Sequence, residues 1–252
     1  MTQQGNGRGP RRAARPGDAI TAMATACALA LALSLAACKP RAPARIAVPS
    51  APAGAEGTLY RIDSDASQLR FYLHADGALA RVGHSHVISA RAIDGKVWLQ
   101  SPPERSACEL RLPVAAFVVD DPQERAAAGG GFAEPLTAAD RDGTRAHMLG
   151  GRQLDAARFP AITLRCLRLA KAPGGETIDV EVMLRDHATR LSVPLHWDLH
   201  DDTLRASGEL TFRQSELGLE PYSLLLGALR VADPVLARFE LVARRVETRP
   251  GG

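Results

Sequence analysis

The chain has 252 residues, 46% of them hydrophobic but only 4% aromatic, and a formal charge of +3. Arg8, Arg11, Arg12 and Arg15 against Asp18 account for that whole excess, so the chain from Cys38 onward is close to neutral. A near-neutral body with no basic stripe interleaved with aromatics lacks the charge that a phosphate backbone rewards, and this excludes nucleic acid as the expected partner.

In chain order, the basic start leads into an apolar run over 19–35, interrupted mainly by Thr21, Thr25 and Ser34, which closes on Leu35-Ala36-Ala37-Cys38. A basic start, a short apolar centre and small residues before a cut are the parts of an export signal, and the centre is short for a membrane span of about 20 residues. The tetrapeptide resembles the lipobox of bacterial lipoproteins, which implies that Cys38 carries a lipid and becomes the first residue of the mature chain. A plain secretory signal cut near Ala37 is the alternative. Residues 1–37 are therefore read as a signal peptide and 38–57 as the lipidated cysteine with a flexible Pro/Ala-rich tether. The folded domain is placed at 58–246 and a disordered tail at 247–252. The expected location is the periplasmic side of a bacterial membrane, reached through the lipid anchor.

From Tyr60 onward, short segments of period-two alternation recur between turn residues, the pattern of an all-β sandwich or barrel. Leu69, Phe71 and Leu73 alternate with Gln68, Arg70, Tyr72 and His74. The same holds for Leu110 and Leu112, for Ile178 to Leu184, for Leu191 to Leu199, for Leu204 to Phe212 and for Val235 to Leu241. Turns are expected at Asp76-Gly77, Asp94-Gly95, Pro173-Gly174-Gly175 and Asp201-Asp202. Between a strand ending near Val119 and one starting near Ala161, Thr137 can cap a helix with Asp140 at its third position, giving a helical insertion over one barrel opening. Asp120 and Asp121 are read as a turn, because neighbours on an extended chain point apart. The expected fold is mainly β: one antiparallel, lipocalin-like barrel of about eight strands with a helical insertion, wide enough inside for one small ligand.

Val82-Gly83-His84-Ser85-His86-Val87-Ile88 is the densest patch of potential chemistry. On an extended strand His84 and His86 share a face, so they can share one guest, an anionic head group or a metal, although two imidazoles are an incomplete metal shell. Cys108 and Cys166 each fall on the apolar face of an alternating strand. A disulfide between them and two buried free thiols both stay open. No nucleophile elbow, phosphate-cradling loop or HExxH helix is present, so the sequence gives no reason to expect an enzyme.

Tyr60-Arg61-Ile62-Asp63, Ser67 to Phe71, Gly83, the stretch Arg145 to Pro160 ending in Arg158-Phe159-Pro160, Thr189 to Leu195, Leu217-Gly218-Leu219 and Val231-Ala232-Asp233 follow one another in a familiar order. In this the chain resembles the YceI-like family of lipid and polyisoprenoid binders. The resemblance implies an extracytoplasmic barrel holding an isoprenoid or other lipid, with Leu69, Phe71, Leu73, Leu195 and Phe212 against its tail. It places His147, near a matching position, at the barrel mouth beside His84 and His86. The His84 to Ile88 stretch departs from the family's aromatic pattern and makes the site more polar. The leading reading is a carrier or sensor of an amphiphilic lipid. A metal- or haem-binding protein using His84 and His86, and a structural or partner-binding lipoprotein with a filled core, are the alternatives.

Overall fold

The computed structural model describes residues 56–173 and 175–247. The expected signal peptide, Cys38, the tether up to residue 55 and the tail from residue 248 lie outside the described residues. The strands are β1 (Thr58–Ile62), β2 (Gln68–Asp76), β3 (His86–Ala90), β4 (Asp94–Leu99), β5 (Ala107–Pro113) and β6 (Phe117–Val119), followed by β7 (Ala161–Ala172), β8 (Gly175–Leu184), β9 (His187–His200), β10 (Thr203–Arg213), β11 (Ser223–Leu224) and β12 (Leu229–Arg245). Helices α1 (Pro122–Ala128) and α2 (Ala138–Leu149) fall between β6 and β7.

Pairing turns these strands into eight staves. β1 with β2, β3 with β4, and β5 with β6 are three broken staves, since β2 pairs β3 while β1 pairs β4, and β3 pairs β6 while β4 pairs β5. β7 pairs β5 across the long segment that carries both helices, and β8, β9 and β10 then follow antiparallel in sequence order through short turns. β12 closes the ring by pairing β10 along one side and β2 and β1 along the other. The result is a closed, antiparallel eight-stave barrel with two helices, the fold class read from the alternation.

Alternation decides which residues meet inside. Tyr60, Ile62, Ile88, Val180, Val182, Leu204 and Ala243 belong to one buried core, with Leu69, Phe71, Leu210 and Phe212 packed against it. One turn differs from expectation. The bend before β4 lies at Ala92, whose φ is 57°, while Asp94 and Gly95 are already in the strand. Gly95 is there for space rather than for turning, since an added Cβ would come within 2.7 Å of Leu110 and 2.8 Å of Ile62.

Helix α2 starts where the sequence placed it. Thr137 accepts from the Asp140 amide and the Asp140 carboxylate accepts from the Thr137 amide, a reciprocal cap of two otherwise orphaned donors. Met148 and Leu149 pack on the barrel core, so the helix lies over one opening. Helix α1 was not expected. Asp121 caps it by accepting from the amides of Gln123 and Glu124, and Pro122 opens it.

Cys108 and Cys166 stand opposite each other on β5 and β7 and are bonded, their Cα atoms 4.8 Å apart. The bond closes a loop of 58 residues and so restricts the unfolded chain. Replacing both cysteines with alanine is expected to lower unfolding free energy by about 2–4 kcal/mol, read from urea denaturation. An unchanged midpoint would show that the bridge is dispensable.

Candidate ligand-binding site

The barrel interior is not packed solid. A lower chamber of about 210 Å3 lies between β4, β5, β7 to β10 and β12, and its lining is apolar apart from Ser106. An upper chamber of about 200 Å3 lies under α2 and adds polar groups to an apolar wall: Thr144, His86, His147, Gln153, Gln214 and Tyr222. Each exceeds the ~150 Å3 apolar cavity that suffices for a benzene molecule. The boundary between them cuts β2, β7, β10 and β12 between successive inward residues, leaving Leu69, Leu164, Leu210 and Ala237 below and Phe71, Ile162, Phe212 and Val235 above. Three rings stand at that boundary, with Phe71 6.2 Å from Phe117 and 6.4 Å from Phe212.

The polar side of the upper chamber is held from behind by a buried ion cluster. Asp120 is fully buried immediately after β6, where its amide donates to the Val87 carbonyl at 2.8 Å. One carboxylate oxygen accepts from the Val87 amide at 2.9 Å and from Arg125 Nη1 at 2.7 Å. The other lies 2.6 Å from His86 Nδ1. Burial pushes the Asp120 carboxyl up, but the hydrogen bond and charge of His86, the Val87 amide and Arg125 together outweigh it and hold the group below its ordinary value. An ionised carboxylate only accepts, so His86 donates through Nδ1 and its Nε2 is the nitrogen left for a guest. Arg125, on α1, also donates to the carbonyls of Ser85 and Glu134 at 2.5 and 2.9 Å. Outside the same wall Glu124 pairs with Arg91 at 2.9 Å and accepts from Ser89, tying α1 to β3.

The shared strand face expected for His84 and His86 does not form. β3 begins only at His86, and His84 sits in the loop before it, with Nδ1 3.8 Å from a Glu134 carboxylate oxygen, too far for a hydrogen bond. His86 lines the upper chamber and His84 does not. Among the described residues no group of three or more His, Cys, Asp or Glu side chains is placed to hold one metal ion. His147 does reach the upper chamber from α2. It stacks on Tyr222 with centroids 4.8 Å apart, its Nε2 3.5 Å from the phenol oxygen. Leu69 and Leu195 line the lower chamber, and Phe71, Leu73 and Phe212 the upper.

Asp120 and Arg125, and the lining residues Thr144, Gln153, Gln214 and Tyr222, are the residues that sequence reasoning missed. Asp120 is no mere turn residue. Its φ of 55° turns the chain out of β6 while its side chain turns back into the wall. The readable signal was next to it: Asp121-Pro122-Gln123-Glu124 has a capping residue, a proline at the first helical position and a glutamate at the third.

No protein-family model and no curated protein matches the chain. Solved structures do. Burkholderia cenocepacia BcnA aligns with a TM-score of 0.54 at 15% identity, over 72% of this chain and 98% of its own. A polyisoprenoid binding domain from Saccharophagus degradans, implicated in plant cell wall breakdown, aligns at 0.50 and 13% identity, over 74% and 98%. The barrel has the YceI-like, lipocalin-like fold. A Campylobacter jejuni YceI protein lies further off, at 0.44 and 8% identity over 64% and 85%. At such identities the likeness is one of fold.

Asp120→Asn keeps the shape but leaves Arg125 charged and buried without its counter-ion. The variant is expected to lose about 3–5 kcal/mol of stability at neutral pH. Because the folded carboxyl sits below its ordinary 3.8, its contribution is fully present above that value and is lost as pH falls through the lower, folded one. Urea unfolding from pH 7 to pH 2 should show that acid step in the wild type and not in the variant. Equal stability of the two proteins at neutral pH would remove the cluster from the account of the wall.

Proposed function

We propose that this protein binds an amphiphilic lipid, an isoprenoid chain foremost, with the tail in the lower chamber and the head beside His86 and His147. The single observation that carries this is the change of lining along one barrel, from apolar below to two imidazoles, two carboxamides, a phenol and a hydroxyl above. A mainly apolar pocket with a few convergent polar groups is the usual form of a small-molecule site. That a domain of the same fold from Saccharophagus degradans is a polyisoprenoid binding domain supports the choice of ligand class, although a shared fold does not fix function. The binding takes place outside the cytoplasm, on a chain anchored through Cys38, as a carrier or sensor.

Native mass spectrometry of the purified protein, followed by organic extraction, should find a long-chain apolar molecule released on unfolding. Ala206→Phe places a ring in the lower chamber. Displacing even two methylenes of a tail from apolar contact forfeits about 1.6 kcal/mol, so affinity for the extracted molecule should weaken at least about tenfold. Equal affinity of the variant would place the ligand elsewhere.

The head group is tested separately. His86→Phe should retain an isoprenoid hydrocarbon but lose the preference for the corresponding alcohol or phosphate in direct competition, whereas His84→Phe should change neither. Loss of preference in the His84 variant alone would reverse the assignment. Cys38→Ala should remove the acyl mass and leave only membrane attachment that high salt reverses, with ligand content unchanged. A variant as salt-resistant on membranes as the wild type, alongside a wild type without acyl mass, would refute the anchor.

A further inference from the structure

Eight large hydrophobic side chains are exposed among the described residues, and five of them, Leu79, Val82, Leu224, Leu225 and Leu226, fall in the β2–β3 loop and the adjoining β11–β12 hairpin. Scattered exposed leucines are ordinary, whereas a cluster of this kind marks a contact surface. The two loops are one unit. The Leu79 amide donates to the Ala228 carbonyl at 2.8 Å, and Gly77 packs so closely on that carbonyl that an added Cβ would come within 2.5 Å. Leu225 and Leu226 both have left-handed backbone, φ 50° and 57°, an arrangement that costs on the order of 1 kcal/mol or more at each leucine. Leu226 is nonetheless fully exposed, Val82 is 70% exposed and Leu225 68%. Burial within this chain therefore gives no reason for the strain.

The position of the tip says what it meets. Tyr222 and Val231, joined by a 2.9 Å backbone hydrogen bond at the base of the β11–β12 hairpin, both line the upper chamber, so the leucines project from its rim. Tyrosine is favoured where one end of a side chain is apolar and the other wet, as at a membrane surface. The cluster has five apolar side chains, against the roughly 20–30 residues that each partner contributes to a stable protein interface. Arg230 is already paired with Asp76 at 2.7 Å, and exposed Arg81, next to Val82, is the cation at the tip. Apolar side chains flanked by a cation suit shallow insertion among anionic head groups.

We propose that this leucine tip inserts into the surface of an anionic lipid bilayer and turns the mouth of the upper chamber toward the membrane. The docking goes beyond the ligand reading and is separable from it, since the tip meets lipid whether or not the chamber is filled.

The test uses the full-length chain with Cys27→Ser and Cys38→Ser, so that the bonded Cys108 and Cys166 leave one engineered thiol. An environment-sensitive fluorophore is placed at Leu226→Cys or, as a control, at Asp201→Cys in the β9–β10 hairpin at the opposite barrel end. Protein floated with phosphatidylcholine–phosphatidylglycerol vesicles should show a blue-shifted emission at position 226, quenched by brominated acyl chains, and an aqueous emission at position 201. Adding Leu225→Asp should abolish the quenching at position 226. Protein that does not float, or that floats with position 226 still aqueous, overturns the proposal. A blue shift that rises with protein concentration in the absence of vesicles would assign the tip to a second copy of the chain and overturn it equally.

Discussion

The structure depends on β12 finding partners on both of its sides. Its 17 residues pair β10 along one edge and then β2 and β1 along the other, and without that double ladder the sheet would be open with two unsatisfied edges. Closure also sets what the inward residues must be. Once the ring is complete, each inward side chain faces others across the axis rather than water, so alternation in sequence becomes an apolar interior in space. The side chains of that interior are not large enough to fill it, and this is the origin of both chambers.

Closure creates a second problem where the staves are short. β6 has only three residues, and the wall beyond it is continued by Asp120, which pairs with Val87 as a strand residue would. A charge there is tolerated because it is met from three directions, by an amide, a guanidinium and an imidazole. Each partner is placed by a different element, so the cluster couples α1 and the loop before β3 to the barrel. His86 is thereby both a structural partner of Asp120 and a surface of the upper chamber, and its ring orientation is set before any ligand arrives.

What was legible in the sequence is what local pattern controls. The inward sets on β2, β8, β9, β10 and β12 follow from period two, and the start of α2 follows from Thr137 and Asp140, because both are decided within a few residues. The pairing of Cys108 with Cys166 needed register across two strands, which spacing alone leaves open. The expected common face of His84 and His86 failed for a related reason. It assumed that the strand was already running at His84, while the chain leaves its short 3-10 turn through Gly83 and joins the sheet only at His86. Asp120 was illegible as a site because its role comes from Arg125 and His86, which lie on either side of it in sequence and meet it only in the folded wall.

The ring partition between the chambers has a consequence for selectivity. Phe71 lies beside both Phe117 and Phe212, and all three rings line the upper room and none the lower. A guest with its tail below and its head above passes these rings, and where it moves Phe71 or Phe212 the edge-on contact between them is given up. Chain length is then sensed as a threshold: guests up to the depth of one room meet an unchanged wall, and longer ones meet an added, roughly fixed penalty that further contact in the second room has to exceed. Affinity plotted against chain length would show a step where an open tube of the same total volume would show a slope.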